Sequence, residues 1–171
     1  MVKIREGMFE TNSSSTHTIV VTDNRVPARS GLCVDFKIGE FGWEWEEYRS
    51  TDAKASYLYT MACELLGKDV YQRFYEVLTK YGVKCTCSIP AKMSDMGSWK
   101  YLDNGYVDHC SDGDARSFVD RMMNHEHALI KFLFSEESFV LTGNDNCDEE
   151  EAEFFDKANV NYPHQTYEKG N

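Results

Sequence analysis

Short apolar segments rich in β-branched residues dominate the first part of the chain. The clearest is Thr18-Ile-Val-Val-Thr22, whose branched side chains suit a pleated surface that is at least half buried. The pattern predicts a strand over residues 16–22. Weaker apolar segments at residues 2–9 and 32–38 predict two more strands.

Apolar residues spaced three and four apart predict helices in the rest of the chain. The first begins at Thr51 or Asp52 as N-cap and ends at Gly67, since short polar residues favour the start of a helix and glycine its end. Its apolar stripe comprises Leu58, Met61, Ala62 and Leu65. The predicted helices cover residues 51–66, 69–81, 114–134 and 149–157. The intervening strands are predicted at residues 83–89, 105–109 and 138–141, with a loop over residues 93–105.

These elements do not alternate as strand and helix, so a doubly wound parallel sheet is not expected. The predicted fold class is α+β, with a mixed or antiparallel sheet packed against three to four helices. The length of 171 residues suits one domain. We assign residues 1–160 to that domain and residues 161–171 to a flexible C-terminal tail.

The formal net charge of −11 limits the possible partners. The 18 Lys and Arg residues are scattered, so direct, non-specific binding of nucleic acid is not expected. An acidic surface could bind a basic protein, or it could serve solubility alone. Residues 39–48 combine Trp43, Trp45 and several glutamates. This segment suits an edge strand or loop over the core, or an exposed contact surface.

The chain shows no apolar segment of the kind found in signal peptides or membrane spans. We therefore expect a protein of the host bacterial cytoplasm that has no membrane contact. Its six cysteines are then expected to be reduced thiols. Cys85 and Cys87 lack the second pair of a structural zinc site and predict core packing. His125 and His127, two apart in a predicted helix, do not match the zinc-protease spacing.

The polar run before the strand at residues 16–22 is the main candidate site. Hydroxyl groups and backbone amides in succession suit the binding of phosphate or a carboxylate. His17 could act as an acid or base near neutral pH, and Ser15 could contact a substrate. A structural hairpin with an unusual composition is the alternative. The candidate ligand-binding residues of this run are Asn12, Ser13, Ser14, Ser15 and Thr16.

Two further polar segments follow predicted strands. His109, next to Asp108, is a second candidate acid or base. The segment from Gly143 to Asn146 has first the composition of a turn, and second that of a ligand loop. Its candidate ligand-binding residues are Asn144, Asp145 and Asn146. If the three segments meet, His17, His109 and Asp145 could hold a divalent metal ion, although the sequence identifies neither a metal nor a cofactor.

The stretch Ile4-Arg-Glu-Gly-Met-Phe-Glu-Thr-Asn-Ser-Ser-Ser-Thr-His17 resembles the opening of a group of small proteins encoded by phages and by prophages of Gram-positive bacteria. Residues 106–109 and 139–146 also resemble later stretches of that group. The resemblance implies a phage origin and a candidate site at the polar run, and it implies no mechanism.

Three functions fit these observations. The first is a phage accessory protein that antagonises or modulates a host defence system, in the manner of an anti-CRISPR protein. It would bind a host protein through its acidic surface, or a small phosphorylated ligand such as a nucleotide at residues 12–17. The second is a small enzyme for phosphotransfer, hydrolysis or group transfer that uses His17 or His109. The third is a virion-associated structural protein. The oligomeric state stays open.

Overall fold

Nine strands and four helices form within the part of the chain that the computed structural model describes, residues 15–21, 31–67, 70–96, 99–108 and 113–144. The strands are β1 (Ser15–Val20), β2 (Cys33–Lys37), β3 (Glu40–Phe41), β4 (Glu46–Tyr48), β5 (Lys84–Ile89), β6 (Met93–Met96), β7 (Trp99–Leu102), β8 (Tyr106–Val107) and β9 (Phe139–Asn144). The helices are α1 (Thr51–Leu66), α2 (Val70–Lys80), α3 (Gly113–Asn124) and α4 (Glu126–Phe134).

The predicted α+β class is confirmed, because the four helices pack with small sheets of mixed orientation. β9 lies between β1 and β4 in an antiparallel sheet, and β6 and β7 form an antiparallel pair. β2 pairs with β5, and β3 with β8, in parallel. Parallel pairs need long crossovers, and α1 and α2 lie within the connection from β2 to β5.

Helix α1 is the centre of the core. Its N-cap is Ser50, whose Oγ accepts a hydrogen bond from the Ala53 amide, so the predicted cap at Thr51 or Asp52 was wrong by one or two residues. The predicted end at Gly67 is confirmed, with φ +91°. Every residue from position 54 to position 63 is buried. The helix is therefore covered all round, in contrast to the single predicted stripe.

A row of polar side chains on α1 covers one edge of β2. Asp52, Ser56 and Thr60 are spaced four apart, so they lie along one line of the helix surface. Their side-chain oxygens accept hydrogen bonds from alternate backbone amides of the chain at β2: Asp35 to Asp52 at 3.1 Å, Lys37 to Ser56 at 3.2 Å and Gly39 to Thr60 at 3.2 Å. The helix thus takes the place of a neighbouring strand and protects the edge.

Strand β9 extends further than the pattern predicted. It runs through Gly143 and Asn144, which were expected to form a turn. The glycine is required for close packing here, because a Cβ atom at Gly143 would lie 2.7 Å from the indole ring of Trp45. The strand therefore carries its pairing into the polar segment.

Two other predictions need correction. The expected loop over residues 93–105 contains the hairpin of β6 and β7. The single helix predicted over residues 114–134 is two helices, with His125 as the N-cap of α4 at φ −121°. The amide of the Asn124 side chain donates to the Asp120 carbonyl, a local bond of the kind that competes with helix continuation.

No helix in the described ranges is long and apolar enough to cross a membrane. The strand predicted at residues 2–9, the helix predicted at residues 149–157 and the tail at residues 161–171 lie outside the described residues.

Candidate functional site

The pairing of β1 with β9 brings two of the three polar segments side by side. Ser15 lies opposite Asn144, Thr16 opposite Gly143 and His17 opposite Thr142. In an antiparallel pair, such partners are neighbours on one face of the sheet. The register therefore joins the end of the serine-rich run to the polar end of β9.

The imidazole of His17 is buried against helix α1. The side chain is 5% exposed, and its Nδ1 atom shares a hydrogen bond of 2.8 Å with the hydroxyl group of Tyr57 on α1. Tyr57 is itself fully buried. This bond fixes the ring between the sheet and the central helix, which is the usual way in which a buried polar group is satisfied.

Gly42 is the point at which β1 and β8 approach the segment between β3 and β4. A Cβ atom at this position would lie 2.8 Å from Nε2 of His17 and 2.9 Å from Cβ of Asp108. The Asp108 amide also donates to the Phe41 carbonyl at 2.8 Å. His17 and Asp108, from two of the predicted polar segments, are thus close neighbours across one glycine.

The other predicted site residues divide into two groups. The backbone positions of Ser15, Thr16 and Asn144 are those given by the strand register. The remaining candidates lie outside the described residues, so their roles stay predictions: Asn12, Ser13, Ser14, His109, Asp145 and Asn146.

Gly42 also lines a cleft of about 210 Å³, which we call the acidic–aromatic cleft. It combines exposed carboxylates with large aromatic rings. Trp43 is 47% exposed and Tyr106 is 41% exposed. Glu40 and Tyr106 are paired in β3 and β8, so an acidic and an aromatic residue of the cleft are neighbours. The lining residues are Glu40, Phe41, Gly42, Trp43, Glu44, Glu46, Tyr48 and Tyr106.

Hydrogen bonds tie the cleft to β9. The hydroxyl group of Tyr48 donates to a carboxylate oxygen of Glu46. Burial, followed by this bond, raises the pKa of Tyr48 above its ordinary value, so the phenol stays protonated and remains a donor. The Thr142 hydroxyl donates to the Glu44 carbonyl at 2.8 Å. Thr142 lies opposite His17 in the pairing of β1 with β9, so the cleft and His17 belong to one connected region.

The chemistry of the cleft favours organic cations. Aromatic faces carry negative electrostatic potential and attract ammonium and guanidinium groups, and carboxylates add a full negative charge. In the described ranges, no group of three His, Cys, Asp or Glu side chains is arranged to hold a metal ion. The sequence pattern of residues 39–48 had indicated this surface as an alternative, but it gave no sign that Tyr106 belongs to it.

A second cavity of about 300 Å³ lies where α1, α2 and the end of β5 meet. It is lined by Tyr59, Tyr71, Cys87, Pro90 and Ala91. Burial is the largest cause of the raised pKa of Cys87, so its thiol is not activated as a nucleophile. As predicted, Cys85 and Cys87 pack against the core.

No protein-family model, curated protein or solved structure matches this chain. Its function must therefore be inferred from the site and the sequence.

Proposed function

We propose that this protein is a phage-encoded accessory protein that acts by binding a basic surface of a host protein through the acidic–aromatic cleft. The resemblance of residues 4–17 to phage and prophage proteins supports the origin. Antagonism of a host defence system is the role that fits such an origin. The acidic–aromatic cleft supports the mode of action.

The observation that carries the proposal is the composition of one exposed surface. Glu40, Glu44 and Glu46 are exposed around a cleft whose walls include Trp43 and Tyr106. Exposed aromatic residues are enriched where proteins bind one another, and complementary charge steers the partners together. The net charge of −11 strengthens the attraction for any basic partner.

The alternative of a phosphorylated ligand at residues 12–17 is less well supported. The described end of that run is next to a cleft with three carboxylates, which repel phosphate. At about 210 Å³, the cleft is also smaller than the roughly 300 to 1,000 Å³ of pockets that enclose a small molecule. It suits a protruding side chain of a protein better than a nucleotide.

The enzyme alternative uses His17 or His109, and of these only His17 lies within the described residues. Its Nδ1 atom bonds with Tyr57, and the side chain is 5% exposed, so this histidine functions first as a packing element. We therefore give protein binding precedence over catalysis.

A charge-reversal series tests the proposal. In the triple variant Glu40→Lys, Glu44→Lys and Glu46→Lys, we expect binding of fluorescent arginine-rich and lysine-rich peptides to be lost in anisotropy titrations. The control variant Glu76→Lys, Asp120→Lys and Glu136→Lys changes the net charge equally at exposed positions elsewhere and should retain most binding.

Two results would contradict the proposal. Equal losses in the two triple variants would show that only the overall charge matters. A rise in melting temperature with inorganic phosphate or a nucleotide, in the absence of peptide binding, would favour the phosphorylated ligand, since a bound ligand stabilises the folded state by mass action.

A further inference from the structure

We infer that the acidic–aromatic cleft receives the guanidinium group of an arginine side chain from the partner protein. This inference rests on the proposed function and makes it more specific, because it names the chemical group that enters the cleft. It distinguishes arginine from lysine, which carries the same charge.

The walls of the cleft favour a flat cation. Trp43 and Tyr106 are both large rings with about half of their surface exposed, and both line the same small volume. A guanidinium group is planar and weakly hydrated, so it stacks on an aromatic face at a lower desolvation cost than an ammonium group.

The carboxylates favour a group with several donors. Glu40 comes from β3, Glu44 from the segment before β4 and Glu46 from β4, so the acidic groups approach the cleft from separate backbone positions. Guanidinium has five N–H donors arranged in one plane and can bind more than one carboxylate at the same time. The three donors of an ammonium group surround a single nitrogen atom.

The protein itself contains a guanidinium group held by a ring and a carboxylate, at Arg49, the residue after Tyr48. The guanidinium carbon of Arg49 lies 4.2 Å from the centre of the Phe139 ring, and the same group forms an ion pair with Glu47. A guanidinium group held between an aromatic ring and a glutamate is thus compatible with the geometry of β4. In the cleft, the neighbouring Glu46 would present its carboxylate to a guanidinium group from outside.

Tyr48 prepares Glu46 for this contact. The Tyr48 hydroxyl donates to one carboxylate oxygen of Glu46, which restricts the orientation of that side chain. A carboxylate that is already oriented loses less conformational entropy when it binds a cation. This part of the cleft lining is therefore oriented before the partner binds.

The test compares nonaarginine with nonalysine, each labelled with the same fluorophore, in anisotropy titrations of the whole chain. We expect the arginine peptide to bind about tenfold more tightly, because the stacking contribution favours guanidinium. Trp43→Ala should weaken arginine binding by about tenfold, and Trp43→Phe should retain most of it, since the ring face remains.

Tyr101→Ala is the matched control, because Tyr101 is an aromatic residue of similar exposure, 46%, on β7. It should leave the affinity unchanged. Circular dichroism of each variant checks that the fold is retained. Equal losses in Trp43→Ala and Tyr101→Ala would overturn the inference.

The outcomes separate this inference from the proposed function. If both peptides bind equally and reversal of Glu40, Glu44 and Glu46 abolishes both interactions, the arginine preference is wrong and the protein-binding proposal stands. If neither peptide binds the wild-type protein, both are overturned.

Discussion

Gly42 is the residue at which the buried and exposed halves of the site meet. Its φ of +115° is strained for any other residue, and an added methyl group would meet His17 and Asp108. We expect Gly42→Ala to lower the free energy of unfolding through two costs. The first is backbone strain, and the second is about 1–3 kcal/mol for overpacking a close contact. Urea denaturation measures the change.

Gly67→Ala provides the matched comparison. Gly67 also has a positive φ, +91°, but nothing lies within 4 Å of its added Cβ atom. The loss of stability in Gly67→Ala therefore measures the cost of backbone strain alone. If the two variants lose equal stability, the close approach of His17 and Asp108 to Gly42 makes no energetic contribution, contrary to our interpretation.

Lys54 holds the chain after α4 through an unusual buried contact. Lys54 is 1% exposed, and its ammonium group donates to the Ser135 and Ser138 carbonyls at 2.7 and 2.8 Å. Lys54→Met should lower the free energy of unfolding by about 2–4 kcal/mol, because two buried carbonyl groups lose their donor.

The exposed Lys80 provides the control for Lys54. Lys80 forms an ion pair with Glu126 at the surface, and Lys80→Met removes the same charge. We expect that change to lower the free energy of unfolding far less than Lys54→Met does, because exposed ion pairs contribute little to stability. If Lys54→Met loses no more stability than Lys80→Met does, water replaces the Lys54 ammonium group without cost, contrary to this prediction.

At the scale of elements, side chains of α1 accept hydrogen bonds from the edge of β2, as a neighbouring strand normally would. Ser56→Ala and Thr60→Val remove the acceptors for the amides of Lys37 and Gly39. Each change should cost about 1–2 kcal/mol. The specific signature is faster hydrogen exchange at these two amides, measured by NMR, with little change at the helix amides. Exchange that accelerates evenly over the whole chain would instead indicate only global destabilisation.

The burial of Cys63 on α1 predicts a loss of stability in alkali. Burial is the main cause that raises the pKa of Cys63 to about 12 from an ordinary value of 9.0. The protonated thiol therefore stabilises the folded state fully below pH 9, and this contribution is lost as the pH rises from 9 towards 12. Tyr59 adds to the effect, because burial also raises its pKa.

Urea midpoints measured from pH 8 to pH 11 test this prediction. The midpoint should fall above pH 9, and the fall should be shallower in Cys63→Ala, whatever the stability of that variant at pH 8. An identical slope in the variant would exclude Cys63 as a source of the pH dependence.

The sequence predicted elements well where the local signals were complete. Helix α1 ends at Gly67 as expected, because a glycine after a run of apolar residues is a strong stop signal. The hairpin of β6 and β7 was missed, although Gly97-Ser98 between its strands is a composition typical of tight hairpin turns. The burial of Ser56 and Thr60 could not be predicted, since it depends on backbone amides of a distant strand.

At the scale of the whole molecule, the candidate site is produced by tertiary contacts. The pattern identified His17 and the polar end of β9 separately, and only the pairing of β1 with β9 brings them together. Tyr57, Gly42 and Tyr106 gave no signal of their own in the sequence. The participation of a tyrosine or a glycine becomes visible only when the elements around it are assembled.

The distribution of charge decides what the whole molecule can bind. A net charge of −11 attracts any cation over a long range, while the acidic–aromatic cleft adds a short-range site. The two contributions differ in their dependence on salt, because long-range attraction is screened over roughly 8 Å at physiological ionic strength. Binding that persists at this ionic strength should therefore depend on the cleft.

An NMR titration of the ¹⁵N-labelled protein with an arginine-rich peptide at physiological ionic strength tests the central claim most directly. We predict that the largest amide shift changes fall on residues 40–46 and on Tyr106, with little change around Glu76 on α2. Changes concentrated on acidic segments away from the cleft, or no changes at saturating peptide, would contradict it.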